Sequence, residues 1–167
     1  MPRQEVIRKA RQDKRAGKSA STQAGEFVKD EIDKIRKGKH GARSPRQAIA
    51  IGLSEARRAG VDLPPPRKGR VKKATRRSAK YAHEVGQGKR TPKRRPRVSR
   101  AVEEVLKKEP RSTASRSALS KQAKRAASRR TAASRSATAR KASRTKGAKV
   151  RSAAAKKAAR TRARRRS

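Results

Sequence analysis

Two windows of the chain carry helical periodicity at full strength. In the first, Phe27, Val28, Ile32 and Ile35 form an apolar stripe, with 28, 32 and 35 at i, i+4 and i+7. In the second, Ile49, Leu53 and Ala56 repeat that spacing, with Ala48 and Ile51 beside them. The second window is also sharply bounded. Ser44 is an N-cap, Pro45 fits the first helical position, and Gln47 completes a capping box. Gly60 supplies a left-handed stop from which Val61 can fold back on Ala56, and Arg57 and Arg58 suit the dipole of the last turn. These signals predict a helix over 45–59. Gly52 is its weak point, at about 1 kcal/mol relative to Ala. It reads either as a close helix contact or as close approach to a ligand.

The first window predicts a helix over about 22–37. Ser21 or Thr22 caps it, and Glu26, Asp30, Glu31 and Asp33 load it with acid. Lys34 follows Asp30 by four residues, the favourable order for an intrahelical pair. Arg36, Lys37 and Gly38 stop it. The loop 38–43 is short enough to return the chain, so the two stripes bury each other in a helical hairpin. Val61 and Leu63 cover its open end, and Pro64-Pro65-Pro66 makes a stiff spacer.

Three weaker patterns flank this pair. Val6, Ile7 and Ala10 predict a frayed helix over 3–15, closed by Gly17. Tyr81 and Val85 predict one around 72–85, stopped by Gly86-Gln87-Gly88. Val98, Val102, Val105 and Leu106 predict a short amphipathic helix, capped by Ser99 and barred from continuing by Pro110. Beyond Arg111 the pattern disappears into Ala, Ser, Thr, Lys and Arg. Ala-Ser-Arg recurs there at uneven intervals, which is compositional recurrence without a structural repeat.

Charge sharpens the division. The 167 residues hold 54 Lys+Arg against 12 Asp+Glu, a net of +42, and aromatics are 1%. Residues 1–66 hold 16 and 8, a net of +8, whereas 67–167 hold 38 and 4, a net of +34. The reading is mostly α: a small hairpin module followed by a long basic, largely disordered tail. Its segments are 1–19 (basic, helical), 20–66 (hairpin), 67–97 (basic linker with a weak helix), 98–109 (short helix) and 110–167 (tail). The tail is expected to turn partly helical on a polyanion, where phosphates relieve its self-repulsion. The module has nine large apolar side chains, a thin core at roughly 1.5–3 kcal/mol each. With alanines 48, 50 and 59 expected on its surface, it is predicted to be completed by self-association or by DNA.

Such a charge demands a polyanionic partner. Cysteine is absent, which excludes disulfides and thiolate metal sites and fits a reducing compartment. No apolar run nears the roughly 18 residues of a membrane span, and the first residues lack a signal-peptide apolar region. His40 and His83 have no second-ligand pattern, and no nucleophile–base set can be assembled among the serines. Gly86-Gln87-Gly88 matches no nucleotide-binding loop. The chain reads as non-enzymatic, without cofactor or metal.

Candidate nucleic-acid contacts fall in four groups. Lys39, Arg43 and Arg46, with the free N–H groups of the turn at Pro45, make an anion seat or merely a solvated basic turn. Arg76 and Arg77 lie on the weak helix. Lys93, Arg94, Arg95 and Arg97 surround Pro96 in a string near an AT-hook but lacking its central glycine, and Thr91-Pro92-Lys93-Arg94 resembles the units of linker-histone tails. Extended proline flanked by arginines suits a narrow minor groove, and nonspecific phosphate contact competes as an explanation. The tail group is Lys124, Arg125, Arg129, Arg130, Arg140, Lys141, Lys156, Lys157, Arg160, Arg162, Arg164, Arg165 and Arg166. A helix–turn–helix over 26–59 is disfavoured, because its exposed second-helix face offers mainly Arg46, Glu55, Arg57 and Arg58 and its connection is long.

The strings Ser21-Thr22-Gln23-Ala24-Gly25-Glu26-Phe27, Gly38-Lys39-His40-Gly41-Ala42-Arg43-Ser44, Gln47–Ser54, Ala56–Gly60 and Leu63–Pro66 resemble a small bacterial domain of unknown function. The resemblance covers about residues 1–66 and implies no activity. The tail resembles linker-histone-like tails in composition alone. The expectation is a cytoplasmic, nucleoid-associated, histone-like protein that binds and compacts DNA without sequence specificity. The alternative is an RNA-binding or ribosome-associated assembly protein. An anionic membrane ranks last as partner, because bulky apolar residues are too few.

Overall fold

The structure is a computed structural model that describes residues 3–93 and 95–164. Among them every regular element is helical, and no strand is present. The chain divides into two compact units, residues 1–122 and 123–167.

In the first unit, α1 (Gln4–Arg15), α2 (Ala20–Arg36), α3 (Pro45–Arg58) and α4 (Lys73–Gly86) pack in sequence order, each against the one before. All four stop in the same way. Gly17, Gly38, Gly60 and Gly88 take positive φ, and paired backbone bonds close each end. At α3 these are Gly60 N–H to Arg57 C=O and Val61 N–H to Ala56 C=O, both 3.1 Å. A β-carbon disfavours that left-handed backbone, so glycine sets where each helix turns.

The hairpin of α2 and α3 is the most extensive packing in the unit. Its contact face on α3 is rotated from the expected stripe. Ala48, Gly52 and Ala56 are buried, while Ile49 and Leu53 are only half-buried. Gly52 is the point of closest approach: a Cβ there would stand 2.7 Å from Val28 Cα and 3.0 Å from the Phe27 carbonyl oxygen. A helix contact therefore explains this glycine. The alanines predicted to be exposed divide accordingly. Ala48 is fully buried, Ala59 half-buried, and Ala50 alone exposed.

Two small clusters make the core. Val6 and Ala10 of α1 meet Ala24, Phe27, Ala56 and Val61 in one, with Leu53 and Leu63 against it. Ile35, Ala42, Ala48 and Ala114 form the other. Ala114 belongs to a single 3₁₀ turn (Arg111–Ala114) that follows α5 (Pro96–Lys108). This return of the chain is anchored by Gly41 N–H to Leu106 C=O at 2.7 Å and Arg36 Nε–H to Ala114 C=O at 2.9 Å. Gly41 is required there, because a Cβ would overlap the Glu109 carbonyl.

Local starts differ from expectation in three places. α2 begins at Ala20 after Ser19, not after Ser21 or Thr22. The Ser19 hydroxyl bonds the side chains of both of those residues. α5 begins at Pro96, which lacks the N–H a helix start leaves unbonded, so Ser99 lies inside it and is not its cap. At α3, Ser44 Oγ accepts from Gln47 N–H as a cap should, but the Gln47 side chain accepts from Arg43 N–H and not from Ser44.

α6 (Arg116–Ser128) and α7 (Ala132–Arg164) replace the predicted disorder with helix, interrupted at Gly147 by non-helical backbone. Alanine, lysine and arginine are among the strongest helix formers, and here their propensity prevails over like-charge repulsion. From Ala123 to Arg164 nearly every described side chain is exposed, so these helices form without a core.

Candidate nucleic-acid interface

The predicted seat at 38–46 is only partly assembled. Lys39, Arg43 and Arg46 are exposed, but Arg43 faces Glu109 at 3.4 Å. Of the first-turn N–H groups, Pro45 has none and Gln47 donates to Ser44 Oγ. A second basic feature shares Lys39 with this seat. A cleft of about 470 Å³ is lined by Lys39 and His40 from the loop, and by Lys107, Glu109 and Arg111 beyond it. The Arg111 guanidinium lies over Gly38, where an added Cβ would come within 2.7 Å of it. Sequence reading missed Lys107 and Arg111, because some seventy positions separate them from Lys39.

On α4 the two candidates separate. Arg76 donates to the Pro66 carbonyl at 3.2 Å, which ties the proline spacer to the helix. Arg77 lines a shallow cleft of about 590 Å³ with Lys80, Tyr81 and Arg90. Arg90 lies 5.0 Å from the Tyr81 ring centroid, within cation–π range, and also pairs with Glu84 at 3.4 Å. The Tyr81 hydroxyl accepts from Lys93 N–H at 2.9 Å.

The basic string around Pro96 is not an extended hook. Arg95 precedes α5, and Pro96 and Arg97 form its first turn. Proline rigidity here starts a helix, so Arg97 stands on a helical turn and not on an extended segment. Lys93, Arg95 and Arg97 are exposed. Arg94, Arg165 and Arg166 lie outside the described residues.

The tail cations stand on helices. Lys124 and Arg125 belong to α6, Arg129 and Arg130 follow it, and Arg140, Lys141, Lys156, Lys157, Arg160, Arg162 and Arg164 belong to α7. All are exposed. Arg130 is held by its neighbours, donating to Ser134 Oγ at 3.2 Å, to the Ser134 carbonyl at 3.1 Å and to Thr138 Oγ1. From Arg111 to Ser167 the sequence contains 21 Lys+Arg and no acidic residue.

The hairpin treats charge differently. Arg57, expected on an exposed face, is buried and donates to the carbonyls of Leu63 (3.0 Å), Pro64 (3.3 Å) and Leu53 (3.4 Å). Burial pulls its guanidinium below the usual range. Glu55, assigned to the same face, pairs with Lys34 at 3.2 Å. α3 is left with Arg46 and Arg58 as exposed cations, too little for base readout.

Lys34, itself half-buried, makes the intrahelical pair with Asp30 that the sequence predicts and is also the centre of a larger enclosed ionic cluster that the sequence does not reveal. It meets Asp30 at 3.0 Å, Glu55 at 3.2 Å and Glu31 at 3.7 Å. Burial opposes its charge, but bonds to Asp30 and Glu55 prevail and hold it above its ordinary value. Arg3 supports Asp30 from beside α1 at 3.4 Å. Glu31 is 1% exposed, and its Oε1 has no hydrogen-bond donor; His40 Nε2 stands 3.5 Å away. Burial pushes the Glu31 carboxyl up, against the pull of His40 and Lys34. The cluster joins α2, α3 and their loop, and its ions point inward.

Among the described residues no group of three or more His, Asp or Glu side chains could hold a metal, and no helix is long and apolar enough to cross a membrane. Residues 11–68, from within α1 to just past the proline spacer, match a family of unknown function, DUF6496. No curated protein and no solved structure matches the chain.

Proposed function

We propose that this protein binds nucleic acid through its backbone phosphates, duplex DNA in preference to RNA, and compacts it without reading sequence. The observation that carries the proposal is the exposed, acid-free array of cations on α6 and α7. Such an array matches a phosphate lattice in sign, and contacts to phosphate carry no base information. The first unit supplies secondary contacts at the Lys39–Lys107–Arg111 cleft, and its α3 lacks the exposed polar side chains that specific recognition requires. This is a cytoplasmic, nucleoid-associated and histone-like role, in keeping with a tail whose composition resembles that of linker histones. No catalytic step enters it.

Retardation of plasmid DNA in agarose tests the reading. Full-length protein is expected to shift plasmid at ~100 mM salt, where phosphate-driven binding of this size persists. Absence of a shift would end the proposal. Competition by structured RNA separates the alternative. If RNA displaces duplex at lower concentration than duplex displaces itself, the protein belongs with RNA or the ribosome.

A further inference from the structure

Glu31 is almost wholly buried on α2, and its Oε1 accepts no hydrogen bond. The group that faces it is His40 of the 38–43 loop, with Nε2 at 3.5 Å. The other ring nitrogen settles what Nε2 can be. Nδ1 lies 3.0 Å from the Gly41 carbonyl oxygen, which only accepts, so Nδ1 carries a proton. In a neutral ring Nε2 is then a bare lone pair, set against the lone pairs of a buried carboxylate oxygen. Two acceptors so placed leave each other without a partner, which burial makes costly. One proton relieves both, either as an imidazolium N–H toward the carboxylate or as a carboxylic O–H toward the ring. Lys34 does not take its place. It stands 3.0 Å from Asp30 and 3.2 Å from Glu55, but 3.7 Å from Glu31 and on the side of Oε2. Asp30 of α2 and Glu55 of α3 add like charge around the carboxyl. On the other side, Lys39, Lys107, Glu109 and Arg111 share a cleft with His40, and Glu103 of α5 lies within its electrostatic reach.

We propose that Glu31 and His40 share one proton, and that this proton latches the 38–43 loop to α2. The latch matters because of what the loop holds. His40 secures the Gly41 carbonyl through Nδ1, while the N–H groups of Gly41 and Ala42 donate to the carbonyls of Leu106 and Pro110 at 2.7 and 3.3 Å. One short segment thus ties α2 on one side to the returning chain at 106–114 on the other. Loss of the proton sets an ionised, buried Glu31 against an unprotonated Nε2, and the ring moves away. Gly41 and Ala42 then lose the support that fixes their amides. Because the closed form binds the proton and the open form does not, linkage keeps the latch closed at acid pH and opens it as pH rises. Burial, which pushes the Glu31 carboxyl above its ordinary range, acts in the same direction. The cleft of Lys39, Lys107 and Arg111 spans this joint, so the latch also governs how those cations are brought together. The latch itself does not rest on the function proposed above.

The chain has 2 histidines, and the second, His83, pairs with Asp62 away from this site, so a site-resolved test is direct. On the full-length protein, from about pH 5 to 8, imidazole nitrogen NMR reads the tautomer of His40 and amide hydrogen exchange reads the loop. His83→Gln assigns the ring signals. His40 is expected to keep its Nδ1 proton throughout. Protection of the Gly41 and Ala42 amides, corrected for intrinsic exchange, is expected to fall at least about tenfold across that range, while the Val61 amide at the end of α3 keeps its own. In Glu31→Gln, whose amide can donate to Nε2 at every pH, the fall should vanish. In His40→Ala, which removes the ring, protection at Gly41 and Ala42 should be low at both ends of the range. A neutral His40 with its proton on Nε2 would overturn the latch. So would protection in the parent that does not change with pH, or a fall that persists in either variant. An equal loss at Val61 would show general loosening of the hairpin and would overturn it as well. No nucleic acid is present, so the outcome is independent of DNA binding.

Discussion

The α2–α3 hairpin and the tail helices use the same cations for opposite ends. In the hairpin, Lys34 and Arg57 are withdrawn from solvent, and each ties elements together: Lys34 through three carboxylates, Arg57 through three carbonyls. In α6 and α7, the lysines and arginines whose side chains are described face solvent with no acid in the sequence beside them. What differs is the neighbourhood. Eight of the 12 acids lie before the proline spacer, where they can neutralise a fold. The lesson is that net charge does not locate an interface; the exposed cations with no carboxylate beside them do.

Removing residues 123–167 is the strongest way to break this contrast. That segment holds 18 of the Lys+Arg and no acid. A protein neutralising Z phosphates shows a log–log salt slope of about −0.9Z, so about ten contacts lower affinity on the order of 10⁵-fold between 50 and 200 mM salt. The truncated chain is expected to bind far more weakly and with a much shallower slope, measured by fluorescence anisotropy on two unrelated duplexes. Affinity retained within about threefold, or strong discrimination between the duplexes, would move the interface to the first unit.

The converse experiment destroys the hairpin and spares the tail. Gly52→Val places a branched side chain where even a Cβ meets Val28 backbone at 2.7 Å. Overpacking against backbone cannot be relieved by a rotamer, so a loss of about 3 kcal/mol or more is expected in chemical denaturation. DNA affinity at low salt should change little. A parallel collapse of affinity would mean that the folded unit presents the binding surface.

How far the sequence carried these distinctions depended on distance along the chain. Helix ends were legible, because Ser44, Gly17, Gly38, Gly60 and Gly88 act on bonds three to five residues away. The face of α3 was read one position off. Large side chains attracted the stripe to Ile49 and Leu53, whereas close packing selected Ala48, Gly52 and Ala56, the residues small enough to let α2 approach. The Lys39–Lys107–Arg111 cleft and the burial of Ala114 depend on the chain's return beneath the 38–43 loop, which no local pattern encodes. In the tail, like charge predicts disorder, whereas the helix propensity of alanine, lysine and arginine prevails there.

Adjacent arginines sharpen the comparison within one helix. Arg57→Met removes three bonds and leaves carbonyls at Leu53, Leu63 and Pro64 without that donor, in a site only 7% exposed. About 2 kcal/mol of stability should be lost. Arg58→Met, one residue on and exposed, should fall within about 0.5 kcal/mol of the parent. Equal losses at both sites would show that the Leu63–Pro64 segment is held by apolar packing alone.

The smallest expected effect is at Glu31, and its sign is the informative part. This carboxyl is buried without a hydrogen bond to Oε1, and burial raises its pKa above the ordinary 4.5 despite His40 and Lys34. The folded state therefore holds the proton more tightly than the unfolded chain does. Linkage makes this group's contribution fall as pH rises from the ordinary carboxylate range through the raised folded value, and level off above it. A glutamine in its place would stay neutral throughout, while Lys34 keeps Asp30 and Glu55 as partners. Glu31→Gln should thus match the parent at acid pH and gain on it as pH rises toward neutrality. Urea denaturation of both chains from about pH 4 to 8 gives the difference directly. A variant less stable than the parent at neutral pH would show that the ionised carboxylate, facing His40 and Lys34, is itself a working part of the cluster, and that charge in the hairpin is retained for stability as firmly as charge in the tail is left open to solvent.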